Sequence, residues 1–250
     1  MRFISETTSN GVSERLFTLG EISGVLWTPA DAAGSRPLVL LGHGGGQHKK
    51  APAVLAHAHH YATTRGLAAA AIDAPLHGDR PKNEEGDRLL AVVRERVAAG
   101  EPIAGPLAEY NAALADLAVP EWRITLDALQ HLDDVGAGPV GYWGVSMGTG
   151  IGVPLVAVEP RITAAVFGLA SHESLADAAS RITVPIRFLL QWDDEMVPRA
   201  SGLALFDAFA SPEKTLHANP GGHRDVPALE LESSGRFLTR HLVEAYVAAA

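Results

Sequence analysis

The segment from Pro139 to Gly152, PVGYWGVSMGTGIG, constrains the fold of this chain more than any other. A short apolar, aromatic-rich run leads into Gly144-Val145-Ser146-Met147-Gly148, and another apolar run, Ile151 to Val158, follows it. The first reads as a buried strand and the second as a buried helix, with Pro154 confined to a first-turn position or a kink. A strand that turns directly into a helix at a serine forces that residue into strained backbone geometry and lifts its hydroxyl above the sheet edge. The neighbours two before and two after must then be nearly free of side chain, which Gly144 and Gly148 supply. The helix start just beyond Ser146 also favours negative charge beside the hydroxyl. Ser146 is the candidate nucleophile.

The rest of the chain alternates strand and helix around this segment. Arg15–Leu19 and Ile22–Trp27, separated by Gly20-Glu21, read as an antiparallel hairpin, followed by a polar loop from Thr28 to Pro37. Leu38–Leu41 is a continuous apolar run, as expected of a strand buried on both faces of a parallel sheet. It ends in Gly42-His43-Gly44-Gly45-Gly46, whose uncovered backbone N–H groups can approach a ligand closely. Lys49-Lys50 reads as a solvated loop. Pro52–Arg65 is a helix whose His57, His59 and His60 read as surface residues, since no carboxylate or cysteine adjoins them to complete a metal site. Leu67–Asp73 is the next buried strand, and the loop Ala74–Arg80 beyond it carries His77, read as holding that loop.

Residues 81–120 interrupt the alternation. Asn83–Ala99 is amphipathic, and Leu107–Leu117 follows as a second helix after the breaks at Pro102 and Gly105-Pro106. Together they read as a small helical insertion, or cap, between the loop after His77 and a separate helix from Pro120 to Leu132. Beyond the serine come a strand over 162–169, a helix through Ala179, a strand over 184–192, a helix over 200–210, a last strand over 214–218 and a closing helix over 229–249. The fold expected is one doubly wound, mostly parallel sheet in a single domain over residues 1–250.

Composition narrows the function. A net charge of −9 with no basic cluster disfavours nucleic acid as a partner. No apolar run approaches the roughly 20 residues that span a bilayer, and Met1–Phe17 has no basic-then-apolar leader, so a cytoplasmic protein is expected. Zero cysteines exclude disulfides, thiolate metal sites and a cysteine nucleophile.

A serine hydroxyl needs an adjacent base, and that base needs an acid to fix its tautomer. Polar loops at the ends of the later strands offer both. Asp193, Asp194 and Glu195 are candidate acids; His223, after Gly221-Gly222, is the candidate base, with His43, His172 and His217 as alternatives. The oxyanion formed in acyl transfer needs preset donors: the Met147 N–H, and one from the glycine loop, Gly45 ahead of Gly46.

From Leu38 to Glu230 the chain resembles the α/β-hydrolase superfamily, and within it the small serine esterases close to the dienelactone-hydrolase-like group. The resemblance rests on His43-Gly44-Gly45-Gly46, Asp73-Ala74-Pro75-Leu76-His77-Gly78, Gly144-Val145-Ser146-Met147-Gly148, Asp194-x-x-Val197-Pro198 and Gly222-His223. It implies the chain order Ser, Asp, His, selects Asp194 as the acid, and implies hydrolysis of a small-molecule carboxylic ester without cofactor or metal. Dienelactone hydrolase itself has a cysteine where this chain has Ser146, so its substrate is not carried over. A thioesterase, lactonase, peptidase or acyltransferase on the same three residues, or a binding protein that kept the fold without turnover, are the other readings.

Overall fold

The computed structural model describes residues 1–31 and 34–244. Its order is β1 (Arg2–Ser9), β2 (Val12–Leu19), β3 (Ile22–Pro29), β4 (Leu38–Gly42), α1 (Pro52–His60), β5 (Ala68–Ile72), α2 (Glu84–Ala99), α3 (Ala104–Gln130), β6 (Val140–Gly144), α4 (Met147–Val158), β7 (Ile162–Gly168), α5 (Ala176–Ala179), β8 (Ile186–Gln191), α6 (Arg199–Ala208), β9 (Lys214–Asn219) and α7 (Leu229–Thr239). Single wider turns extend α1 through Tyr61–Arg65 and α7 through Arg240–Glu244. The closing helix expected to reach residue 249 lies outside the described residues from 245 on.

All nine strands form one sheet in the order β1-β2-β3-β5-β4-β6-β7-β8-β9. The first three pair antiparallel, β3 meets β5 antiparallel, and β4 through β9 run parallel. The expected hairpin is therefore a three-stranded meander. Its outer strand, RFISETTS, is exposed at almost every position and offers no apolar alternation to read.

Period-two alternation splits the parallel strands between two cores. Leu38, Leu40, Ala68, Ala70 and Ile72 point to one face, packed with α3, α4 and α6, while Val39, Leu41, Ala69 and Ala71 point to the other, packed with α1 and α7. A sheet covered on both faces explains why these runs are apolar throughout.

Four helical expectations change. His57 is buried rather than at the surface, its ring 3.8 Å from that of Trp143, because α1 lies flat against the sheet. The helix expected through Ala179 is only the four residues of α5. Of the two options for Pro154 the first-turn one falls away, since the residue lies well inside α4. The helices expected over 107–117 and 120–132 are one helix, α3, with Pro120 inside it. Pro120 and Asp116, whose carbonyl loses its partner, both face solvent, which is open to satisfy that carbonyl. The buried stripe Tyr110, Leu114, Ala118, Trp122, Leu126, Leu129 continues through the proline unbroken.

Candidate active site

Ser146 joins β6 to α4 at φ 58° and ψ −123°, a conformation costly for a residue with a side chain and held only by its surroundings. Its N–H donates to Gly168 O at 2.9 Å, and the fully buried Thr149 hydroxyl sits within hydrogen-bond reach of the Gly144 and Gly168 carbonyls (2.9 and 2.6 Å). Tyr142 braces the turn from below. Its hydroxyl donates to Gly148 O at 2.7 Å, and its side chain stands where a Cβ on Gly42 or Gly152 would go and, with the Gly148 backbone, where one on Gly144 would go.

The Ser146 hydroxyl lies 2.9 Å from His223 Nε2, and His223 Nδ1 lies 2.8 Å from Asp194 Oδ2. A carboxylate only accepts, so Nδ1 carries the proton and Nε2 faces Ser146 as an acceptor. Asp194 Oδ1 accepts from the Met196 and Val197 N–H groups, both at 2.8 Å. Burial alone would raise the Asp194 pKa, but the His223 hydrogen bond, the two N–H groups and the His223 charge hold it below the ordinary carboxylate value. Glu195 accepts from the His223 backbone N–H at 2.9 Å, fixing the loop rather than the imidazole, and Asp193 is exposed. Of the other histidines, His217 bonds to Glu230 and His172 donates its backbone N–H to Ser201.

The glycine loop follows β4. A Cβ built on Gly45 would lie 4.0 Å from the Met147 Cβ, so the loop passes beside the residue after Ser146, whereas Gly46, at φ 70°, has open space around it. Met147 opens α4, and a first-turn N–H has no intrahelical partner. His43 fixes the loop's base: its Nδ1 donates to Gly44 O at 2.9 Å and its Nε2 accepts from the Ala74 N–H at 3.0 Å. His77 is buried beside it, with Nδ1 2.9 Å from Pro75 O.

Lys49 corrects the expectation of a solvated loop. It is buried, with Nζ 2.7 Å from both Asp73 and Asp79. Asp73, fully buried, also accepts from Ser23 Oγ and from the Lys49 and Asp79 N–H groups. One carboxylate thus ties the glycine loop, β3 and the loop after β5 together. The sequence places Asp73 at a strand end but gives no sign of its partner 24 residues earlier.

Burial lowers the pKa of both His43 and His57 from 6.5 to about 4. The unfolded chain therefore takes up protons near pH 6.5, while the folded one resists until about pH 4. Stability is full above the unfolded value and falls as pH drops through that window, by up to roughly 3 kcal/mol per histidine. Urea midpoints should decline between pH 7 and 5, and His57→Phe should flatten the slope; a flat wild-type profile would contradict the buried neutral pair.

No protein-family model and no curated protein sequence matches the chain. Solved structures do. A cold-adapted esterase from an Arctic intertidal metagenomic library, in its PEG-bound complex, shares 34% identity over 97% of this chain and 100% of its own, with a TM-score of 0.77. The native structure of such an esterase gives 32% and 0.72 over the same shares. The chain is an α/β-hydrolase. An acetyl xylan esterase from Paenibacillus sp. R4, at 17% identity over 96% of this chain and 88% of its own, has a TM-score of 0.72 and bears on the fold alone.

In this α/β-hydrolase a narrow cavity of about 30 Å³ opens at Ser146 and His223, walled by Leu107 and Ala108 of α3 and by Leu169, Leu175 and Val197. A larger hollow of about 160 Å³, bordered by Glu6, Arg15, Arg36 and Asp134 at the far end of β2 and β3, contains no Ser–His pair. Trp27 and Trp143 are core, while Trp192 is half exposed and covered on one face by Arg199, whose guanidinium carbon lies 4.0 Å from the ring centroid. Among the described residues no helix is long and apolar enough to cross a membrane, and no cluster of three or more His, Asp or Glu side chains gathers as a metal site.

Proposed function

We propose that this α/β-hydrolase is a serine esterase for small carboxylic esters, working through an acyl-enzyme on Ser146. The observation that carries this reading is the relay from Ser146 Oγ to His223 Nε2 and from His223 Nδ1 to Asp194, at 2.9 and 2.8 Å. As Ser146 attacks the ester carbonyl, His223 takes its proton and then gives it to the departing alcohol; water repeats the sequence on the acyl-enzyme. Asp194 holds the tautomer and stabilises the imidazolium. The N–H groups of Met147 and Gly45 receive the oxyanion, an assignment supported by the approach of Gly45 to Met147.

A cavity of about 30 Å³, enough for only one or two water molecules, supports short acyl or alcohol groups over long ones. Residues 107 and 108 supply one wall of it, which supports reading α2 and the first half of α3 as a small cap on a single domain. Thioesters and lactones present the same carbonyl chemistry and stay within this reading.

A fluorophosphonate probe tests it directly. The Ser146 oxygen should displace fluoride and form one covalent phosphonyl adduct per chain, located by peptide mass mapping to Ser146. p-Nitrophenyl acetate should be turned over faster than the octanoate. Folded protein that acquires no adduct at Ser146 would overturn the proposal.

A further inference from the structure

One wall of the Ser146 cavity carries a polar group that the proposed mechanism does not use. Asn111 lies on α3 between two buried members of its apolar stripe, Tyr110 and Leu114, and it lines the same cavity as Ser146 and His223. Its amide oxygen is buried and accepts from no donor among the described residues. A buried amide oxygen without a partner costs free energy, so a position that keeps one is suited to receiving a donor from outside the chain.

The placement is specific. Gly150, one turn beyond Ser146 on α4, has no side chain, and a Cβ there would lie 3.3 Å from Asn111 Cβ and 3.4 Å from its Nδ2. That gap lets α3 settle against α4 and brings the amide over the turn that follows the nucleophile. Around it the cavity wall is apolar at Leu107, Leu169, Ala170, Leu175 and Val197 and neutral but polar at Ser171 and Ser174, and its only ionisable lining group is His223. With no carboxylate to neutralise an ammonium and no cation to neutralise a carboxylate, the wall suits a neutral donor. The volume, about 30 Å³, limits that donor to a small group close to the scissile bond.

We propose that Asn111 is a specificity-determining residue that accepts a hydrogen bond from a hydroxyl on a short substrate, making this enzyme selective for small hydroxylated esters over their alkyl isosteres. The inference rests on the serine-esterase reading above. The same hydroxyl can belong to the acyl part, as in a hydroxyacid ester, or to the alcohol part, as in a monoester of a diol.

Two isosteric pairs separate these sources: ethyl glycolate against ethyl propanoate, and 2-hydroxyethyl acetate against propyl acetate, each followed by pH-stat titration. In the wild type one pair should show a kcat/KM about tenfold to a hundredfold higher for its hydroxyl member, because the methyl isostere leaves the amide oxygen unpaired. Asn111→Leu should bring that ratio to near one, and Asn111→Asp, which keeps an acceptor, should restore part of it. Ratios within one variant are independent of how much active protein it yields. Wild-type turnover of all four esters with both ratios near one would overturn the role of Asn111 and leave the esterase reading standing. So would a hydroxyl preference that Asn111→Leu leaves intact. Failure of the wild type to hydrolyse any of the four, with no fluorophosphonate adduct at Ser146, would overturn both.

Discussion

Replacing Ser146 by alanine is expected to lower kcat for ester hydrolysis by roughly 10⁴- to 10⁶-fold, leaving the sheet intact by circular dichroism. The size follows from the relay acting as a unit. Without the hydroxyl, the imidazole 2.9 Å away has no proton to take, and the remaining rate comes from the oxyanion donors and from substrate binding. His223→Ala should therefore cost about as much, and the double variant scarcely more than either single one. Asp194→Asn should lose about 10⁴-fold, because an amide at that position no longer enforces the Nδ1–H tautomer. Losses that instead multiplied across the double variant would mean that Ser146 and His223 act in separate steps. A Ser146→Ala protein that kept even a tenth of wild-type turnover would place the nucleophile elsewhere.

The second large effect concerns stability. Asp73→Ala should cost about 3–5 kcal/mol of folding free energy, since it leaves a buried ammonium and two backbone N–H groups without their acceptor. Asp79 remains beside Lys49, but its side chain is largely exposed and does not replace the lost bonds. Lys49→Met should be similarly damaging, while Asp73→Leu with Lys49→Met should recover much of the loss, because the desolvation cost of both ions disappears together. Urea unfolding at pH 7 measures all three, and a single-variant change under about 1 kcal/mol would remove the network from the stabilising interactions. The carboxyl of Asp73 is held below its ordinary value of 3.8; burial pushes it upward, and the Asp79 and Lys49 N–H bonds and the Lys49 ammonium more than offset this. Its contribution is thus complete above the unfolded value and is lost as pH falls below it. The same variants should lower kcat more than they raise KM, since the network anchors the loop that carries Gly45.

Much of this architecture is legible in the chain because burial on both faces leaves a strong mark. Leu38–Leu41 and the β6 segment read as strands with no help from neighbours, and Gly144-x-Ser146-x-Gly148 takes its meaning from lying between a strand and a helix. The choice of Asp194 among three adjacent acids needed the family pattern, because spacing alone does not say which carboxylate turns inward. Other features escaped for identifiable reasons. Pro120 reads as a stop, although the apolar stripe on either side keeps the same phase, and the outcome depends on whether the proline faces water. β1 is held by backbone pairing at the edge of the sheet and so leaves no hydrophobic period. Lys49 and His57 carry polar side chains whose burial depends on partners distant in sequence, Asp73 for one and Trp143 for the other. Asn111 is one polar residue on a long amphipathic helix, and nothing local separates it from a solvated one.

The bracing of the serine turn by Tyr142 bears on how this scaffold can diversify. The Tyr142 side chain occupies the space beside Gly42 and Gly152, and together with the Gly148 backbone the space beside Gly144, so a side chain at any of these glycines requires a compensating change. The facing wall has no such lock: Leu107, Ala108 and Asn111 reach the cavity as side chains of a helix whose backbone makes its own hydrogen bonds. Under the proposed reading, change in substrate range is open to single steps on α3, while the serine turn is held by its glycines and Tyr142.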